Sequence, residues 1–259
     1  MTKLYKPLSI FFFLLILSSC SEDDPLPVPL VNFFLDPEVV EVGIPVMFDN
    51  LTTNASRYEW DFGDGQIVTD ISPTITFTSP GTVTVTLRAY TEDDQVDSLV
   101  QNVDILERVL TGYVVNVFPL TNGGQAWDPD STGVQQLPDI FILFQPNDQN
   151  NTNGFIDIIG ANISITPFGN TIEGVSFPNN QNPIVLGDED WQFFLLDYDG
   201  PFDNIDLSPE NLETMIGVQF NPLEAATFKN DDGDAGFITV LLQDNAGNVL
   251  DVDFTFELQ

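Results

Sequence analysis

Apolar and polar residues alternate with a period of two along most of this chain, and a helical period is visible at only one place. Between residues 31 and 106 the segments Val39 to Val42, Val46 to Phe48, Tyr58 to Phe62, Thr74 to Thr78, Val83 to Tyr90 and Ser98 to Ile105 are short and rich in β-branched and aromatic residues. Turn residues separate them at strand spacing. Thr82-Val83-Thr84-Val85-Thr86-Leu87 alternates strictly, which predicts Val83, Val85 and Leu87 on the inner face. Beyond a short joint at 107–112, with Gly112 expected to start the next strand, the pattern resumes. Strands are predicted over Tyr113 to Phe118, Ile140 to Phe144, Phe155 to Ile159, Ile163 to Ile165, Ile172 to Phe177, Ile184 to Leu186, Trp191 to Tyr198, Met215 to Phe220, Phe237 to Gln243 and Val249 to Leu258. The one helical piece runs from Pro209 to Thr214, with Ser208 as its N-cap and Glu210 in its first turn. The fold class is therefore all-β, and the length allows two β-sandwiches.

The first thirty residues follow a different pattern. Lys3 and Lys6 precede an apolar run from Leu8 to Leu17, broken by Ser9, and then Ser18-Ser19-Cys20. That is the layout of a secretory signal peptide, and the run is too short to span a bilayer of about 30 Å. Small residues directly before the chain's single cysteine resemble the lipobox of bacterial lipoproteins. The resemblance implies removal of residues 1–19 and lipidation of Cys20, which would anchor the protein in a membrane. The acidic Glu22-Asp23-Asp24 resembles the export signal of surface-displayed lipoproteins, so the expected location is the cell surface of the outer membrane. Residues 20–30 then form a tether, in which Pro25, Pro27 and Pro29 favour an extended stem.

Charge narrows the partners. Taking Lys3 and Lys6 from the 6 basic residues leaves Arg57, Arg88, Arg108 and Lys229 against all 40 acids, a net charge of −36. Nucleic acid is excluded, because phosphate binding needs clustered Lys and Arg. Divalent cations are favoured by the same field. The chain has no histidine, which removes Ser-His-Asp and Cys-His catalysis and His-ligated zinc. A hydrolase would be left with a carboxylate pair.

Tyr58-Glu59-Trp60-Asp61-Phe62-Gly63-Asp64-Gly65 resembles the signature of the polycystic-kidney-disease (PKD) domain, and Phe77-Thr78-Ser79-Pro80-Gly81-Thr82-Val83-Thr84-Val85 resembles its second motif. The resemblance implies an immunoglobulin-like sandwich over residues 31–106, of a kind used as a spacer or binding module. Tyr58, Trp60 and Phe62 share one strand face and are expected in its core. Asp61 and Asp64 are expected to hydrogen-bond backbone amides of their turn.

In residues 107–259 two loops gather carboxylates. The first carries Trp127, Asp128, Asp130 and Asp139; the second carries Asp197, Asp199, Asp203 and Asp206 before Ile216-Gly217. These motifs resemble a C2 domain, a β-sandwich whose members hold calcium on such aspartates. A longer first loop and an insertion after Asp206 depart from that pattern. Physically, like charges a few Å apart cost several kcal/mol per pair at reduced dielectric. A hard cation taking 6–8 oxygens would compensate them. Solvated turn-forming aspartates are the alternative. The acidic loops at Asp148 to Gly154 and Asn230 to Asp234 are expected to be plain loops, although the first resembles an EF-hand. Trp127, in a loop beside Pro129, is expected to be exposed as a ligand contact, whereas Trp191 alternates with Phe193 and Leu195 and is expected in the core.

These features together predict a non-catalytic surface lipoprotein for binding or adhesion, to an extracellular glycan or protein, with calcium in its second domain. The alternatives are a structural subunit of an outer-membrane complex, and a carboxylate-dependent glycoside hydrolase or lyase.

Overall fold

The structure, a computed structural model, describes residues 27–128, 138, 140–147, 155–158, 176–179, 183–199, 206 and 208–259. The expected signal peptide, Cys20, Asp130, Asp139, Asp203, the Asp148 to Gly154 loop and the strand at Ile163 to Ile165 lie outside these residues. The described chain is all-β; its one helical piece is a 3-10 turn, Pro209–Asn211. No described helix is long and apolar enough to cross a membrane.

The first sandwich is built from β1 (Phe33–Asp36), β2 (Val40–Glu41), β3 (Pro45–Asn50), β4 (Arg57–Asp61), β5 (Ile67–Val68), β6 (Thr74–Thr76), β7 (Gly81–Tyr90) and β8 (Val96–Leu106). One sheet has the order β1-β3-β6, and the other β2-β8-β7-β4-β5. Between them sits an aromatic core. Trp60 stacks on Phe62 and meets Phe33 and Phe48 edge-on, and both Trp60 and Phe48 are fully buried. The indole N–H donates to the Asp70 carbonyl at 3.0 Å, so the one polar atom of that side chain is paired. Burial of each such ring stabilises by about 1.5–3 kcal/mol. Val85 and Leu87 face the same core. Asp61 accepts from the Gly63 N–H and Asp64 from the Gln66 N–H, both at 2.9 Å, as turn formers. Gly63 and Gly65 sit at φ +81°, in the left-handed region that favours glycine.

The second sandwich comprises β9 (Arg108–Val117), β10 (Ile140–Pro146), β11 (Phe155–Ile158), β12 (Ser176–Pro178), β13 (Trp191–Tyr198), β14 (Leu212–Phe220), β15 (Ala226–Lys229), β16 (Ala235–Gln243) and β17 (Val249–Leu258). Its sheets run β11-β10-β13-β14 and β12-β9-β17-β16-β15. Phe144, Trp191, Phe193 and Phe254 fill the space between them. Gly112 lies in the middle of β9 instead of starting it. A Cβ there would stand 2.6 Å from the Phe177 carbonyl oxygen, so the glycine admits β12 alongside.

Three short strands, β1, β5 and β15, are additional to the sequence expectation. Ile184 to Leu186 is not a strand: Val185 makes a single bridge to Val109, while Ile184 and Leu186 are buried in the core. Its apolar pattern records burial, with sheet pairing limited to that one bridge and its two backbone hydrogen bonds to β9. Residues 212–214, expected to be helical, instead open β14, whose pairing to β13 starts at Leu212.

Candidate cation site at the end of the second sandwich

β13 alternates inward-facing Trp191, Phe193 and Leu195 with half-buried residues, and the next inward position is Asp197. The strand therefore carries a carboxylate into the end of the core, where it is 0% exposed. Its cross-strand neighbours are Ile140 on β10 and Glu213 on β14. Asp199 follows where the strand leaves the sheet. It is exposed, and its N–H donates to the Asn211 carbonyl at 3.0 Å, which fixes the backbone there. Asp128 arrives from the chain that follows β9, half-buried behind Trp127.

One oxygen of each of Asp128, Asp197 and Asp199 lies within 4.8 Å of the other two. Two oxygens on opposite sides of a Ca²⁺ stand about 4.8 Å apart at its usual ligand distance, so all three fit one coordination sphere. The donor set is all oxygen, with neither imidazole nor thiolate, which selects a hard cation over zinc or copper. The basic side chains of the described residues are placed elsewhere. Arg57 pairs with Glu59 and Asp94 in the first sandwich. Arg88 stands opposite Ser98 in the same sandwich. Arg108 and Lys229 both bind Glu41. Arg108 opens β9, whose ten residues carry the chain about 33 Å from it to the acidic end.

Asp206 is not part of the cluster. Its Oδ1 accepts from the Ser208 hydroxyl at 2.6 Å and the Ser208 N–H at 3.0 Å, and the hydroxyl bond holds its carboxyl below the usual aspartate range. Its backbone N–H donates to Tyr198 Oη at 3.0 Å, so the residue shapes the loop beside Asp197 and Asp199. Asp130, Asp139 and Asp203 lie outside the described residues. Of the seven expected metal ligands, the structure thus brings together Asp128, Asp197 and Asp199.

Trp127 corrects the expectation of an exposed ring. It is 8% exposed, packs into the second core, and donates its indole N–H to the Pro119 carbonyl at 3.3 Å. A loop over the end of a sandwich covers the core, and this tryptophan closes that end next to Asp128 in the chain. Trp191 is in the core, as its alternation predicts. Gly217, of the expected Ile-Gly pair, faces Phe194 across the β13–β14 ladder; a Cβ would overlap the ring, so the glycine makes room for it.

Sequence reasoning missed the residues at the junction of the sandwiches: Glu41 and Arg108, which are buried, and Lys229, which reaches Glu41 from the surface. The available signal was that Glu41 alternates with Val40 and Val42, and so points away from its own core.

Residues 28–105 match the family model of the PKD domain. No curated protein matches the chain. The PKD1 domain of Vibrio anguillarum Epp is 24% identical over 30% of this chain and 94% of its own, with a TM-score of 0.27. The PKD1 domain of the Vibrio cholerae metalloprotease PrtV is 30% identical over 30% of this chain and 98% of its own, also with a TM-score of 0.27. A structure from a study of promiscuous carbohydrate-binding modules of the β-sandwich superfamily is 10% identical and covers 90% of this chain and 92% of its own, with a TM-score of 0.29.

Proposed function

We propose that this chain is a non-catalytic binding or adhesion protein, lipid-anchored at the cell surface through Cys20. Its PKD domain acts as a spacer, and its C2-like second sandwich carries a calcium site that orders the surface contacting an extracellular glycan or protein. The observation that supports this reading best is the cluster of Asp128, Asp197 and Asp199, with carboxylate oxygens within 4.8 Å of one another. Calcium takes 6–8 oxygens, so three carboxylates leave positions for loop carbonyls, water or a ligand's hydroxyls. Asp197, closed to solvent, offers no face to a sugar, which argues against its serving as the nucleophile or base of a glycosidase.

Terbium luminescence tests the cation site. Trp127 and Tyr198 adjoin the three ligands in sequence and would sensitise bound Tb³⁺. Emission should rise on Tb³⁺ addition, fall as Ca²⁺ competes, and disappear in Asp197→Asn. Absence of sensitised emission, or emission unchanged in that variant, overturns the cation reading. A glycan array and a surface pull-down, each run in Ca²⁺ and in EDTA, then separate a sugar ligand from a protein one.

A further inference from the structure

Adjacent domains normally move relative to each other unless their interface is extensive and apolar. The junction here has other means. We propose that Glu41, Arg108 and Lys229 lock the two sandwiches into one rigid strut. Glu41 is 2% exposed and Arg108 3%. Arg108 Nε donates to Glu41 Oε1 at 2.7 Å, and the partly exposed Lys229 Nζ forms an ion pair with Glu41 Oε2 at 2.8 Å. Arg108 Nη1 donates to the Pro222 carbonyl and to Thr227 Oγ1, and the guanidinium lies 4.5 Å over the Phe256 ring. Glu41 comes from β2 of the first sandwich; all its partners come from the second. Buried charges tolerate few geometries, because any shift that opens a pair leaves an uncompensated ion in a low dielectric. One relative position of the two sandwiches brings all of these contacts together.

Apolar and backbone contacts reinforce that position. Val39 and Leu106, from the first sandwich, pack against the core of the second. Gly43, at φ +81°, lies so near Leu223 that a Cβ would stand 2.5 Å from its Cδ1. The linker between β8 and β9 is Glu107 alone. Its N–H donates to the Gln259 carbonyl at 2.9 Å, and its own carbonyl accepts from the Gln259 N–H at 3.0 Å.

The consequence is a fixed reach. β8 enters the junction and β9 leaves it, so residues 96–117 run from the far end of one sandwich to the far end of the other. Their extended length is about 70 Å. The bridge between Leu30 and Thr53 places the chain's entry at the first far end, beside the Ser56–Tyr90 pairing. The aspartate cluster lies at the other far end. This geometry holds whether or not a cation occupies the cluster.

Single-molecule FRET tests the lock on the chain from residue 21 onward, labelled at Glu92→Cys and Ala246→Cys. These exposed positions lie in the hairpins at the two far ends. Wild type should give one narrow population. Glu41→Gln, which strands Arg108 and Lys229, should lose it, whereas Glu59→Gln, at an exposed pair in the first sandwich, should keep it. Insertion of Gly-Ser-Gly-Ser after Glu107 should also keep it, because the lock is intact. A broad wild-type distribution, a narrow one in Glu41→Gln, or loss of the narrow population on insertion would each overturn the proposal. The last outcome would assign the rigidity to the short linker instead.

Discussion

Asp197→Asn should reverse its effect on stability according to whether calcium is present. Without a cation, the Asp128 and Asp197 oxygens at 4.8 Å or less repel by about 3.5 kcal/mol at an effective dielectric near 20. Asp199 adds repulsion of the same sign, weakened by solvent because it is exposed. Solvent screening at the mouth of the cluster relieves part of this, so about half of the 3.5 kcal/mol is the expected release for the amide. A chain of this size shifts its Tm by about 2–4 °C per kcal/mol, and the variant should melt a few degrees above wild type in EDTA. With Ca²⁺ at 100 times its Kd, wild type gains about 2.7 kcal/mol, a rise of about 5–11 °C, and the variant loses most of that gain. The two proteins should therefore change places in Tm between EDTA and saturating Ca²⁺. Differential scanning calorimetry in both buffers at pH 7 is the assay. If Asp197→Asn melts lower in EDTA and calcium moves neither protein, the carboxylate serves the loop as a hydrogen-bond acceptor and the electrostatic reasoning fails.

Phe144 is fully buried against Trp191, Phe193, Phe220 and Phe254, so Phe144→Ala should cost about 3–5 kcal/mol, read as a lowered urea midpoint. Gly217→Ala should cost about 1–3 kcal/mol by driving a methyl into the Phe194 ring, and Phe194→Ala in the same chain should recover part of that loss. The Tyr90 hydroxyl donates to Glu59 Oε2 at 2.7 Å, which raises its pKa; that stabilisation is complete below about pH 10 and disappears as pH rises through the folded value. Tyr90→Phe should therefore flatten the alkaline limb of a Tm profile. Asp244 is held below the usual range by the Asn248 amide, so its contribution is complete above about pH 4 and is lost as pH falls through the lower folded value. Asp244→Asn should flatten the acid limb, measured in the same way.

Strands that alternate over their whole length were legible from the chain, and β13 and β17 begin and end where the pattern places them. The turn of Asp61 and Asp64 was legible because its chemistry is local. The same alternation that places Trp191, Phe193 and Leu195 inside also places Asp197 inside, so one member of the cluster could be read as a buried acid. β15 could not, because Ala-Thr-Phe-Lys is too short to show an alternation of its own and pairs at the edge of β16. Trp127 misled because Pro and Asp neighbours mark a loop, and a loop can fold over a core as readily as leave it. The junction was invisible because residues 41, 108 and 229 meet only through tertiary contacts.

The placement of the basic residues ties the site to the junction. Four remain after Cys20 against 40 acids, so compensation by basic side chains is available at few positions. Two of the four converge on one glutamate between the sandwiches, and a third, Arg57, holds two acids and lies over the Tyr90 ring in the first. The junction must persist in every state of the protein, and covalently attached cations serve it regardless of the medium. At the distal end three carboxylates converge within 4.8 Å, and a metal ion from solution would lower the charge there. The distal loops thus have a reason to respond to the calcium of the medium, and the junction has a reason not to. Calcium should therefore raise the unfolding midpoint of wild type, yet leave the FRET distance between residues 92 and 246 unchanged. A calcium-dependent change in that distance would show that the two ends of the second sandwich are coupled, and would break the separation argued here.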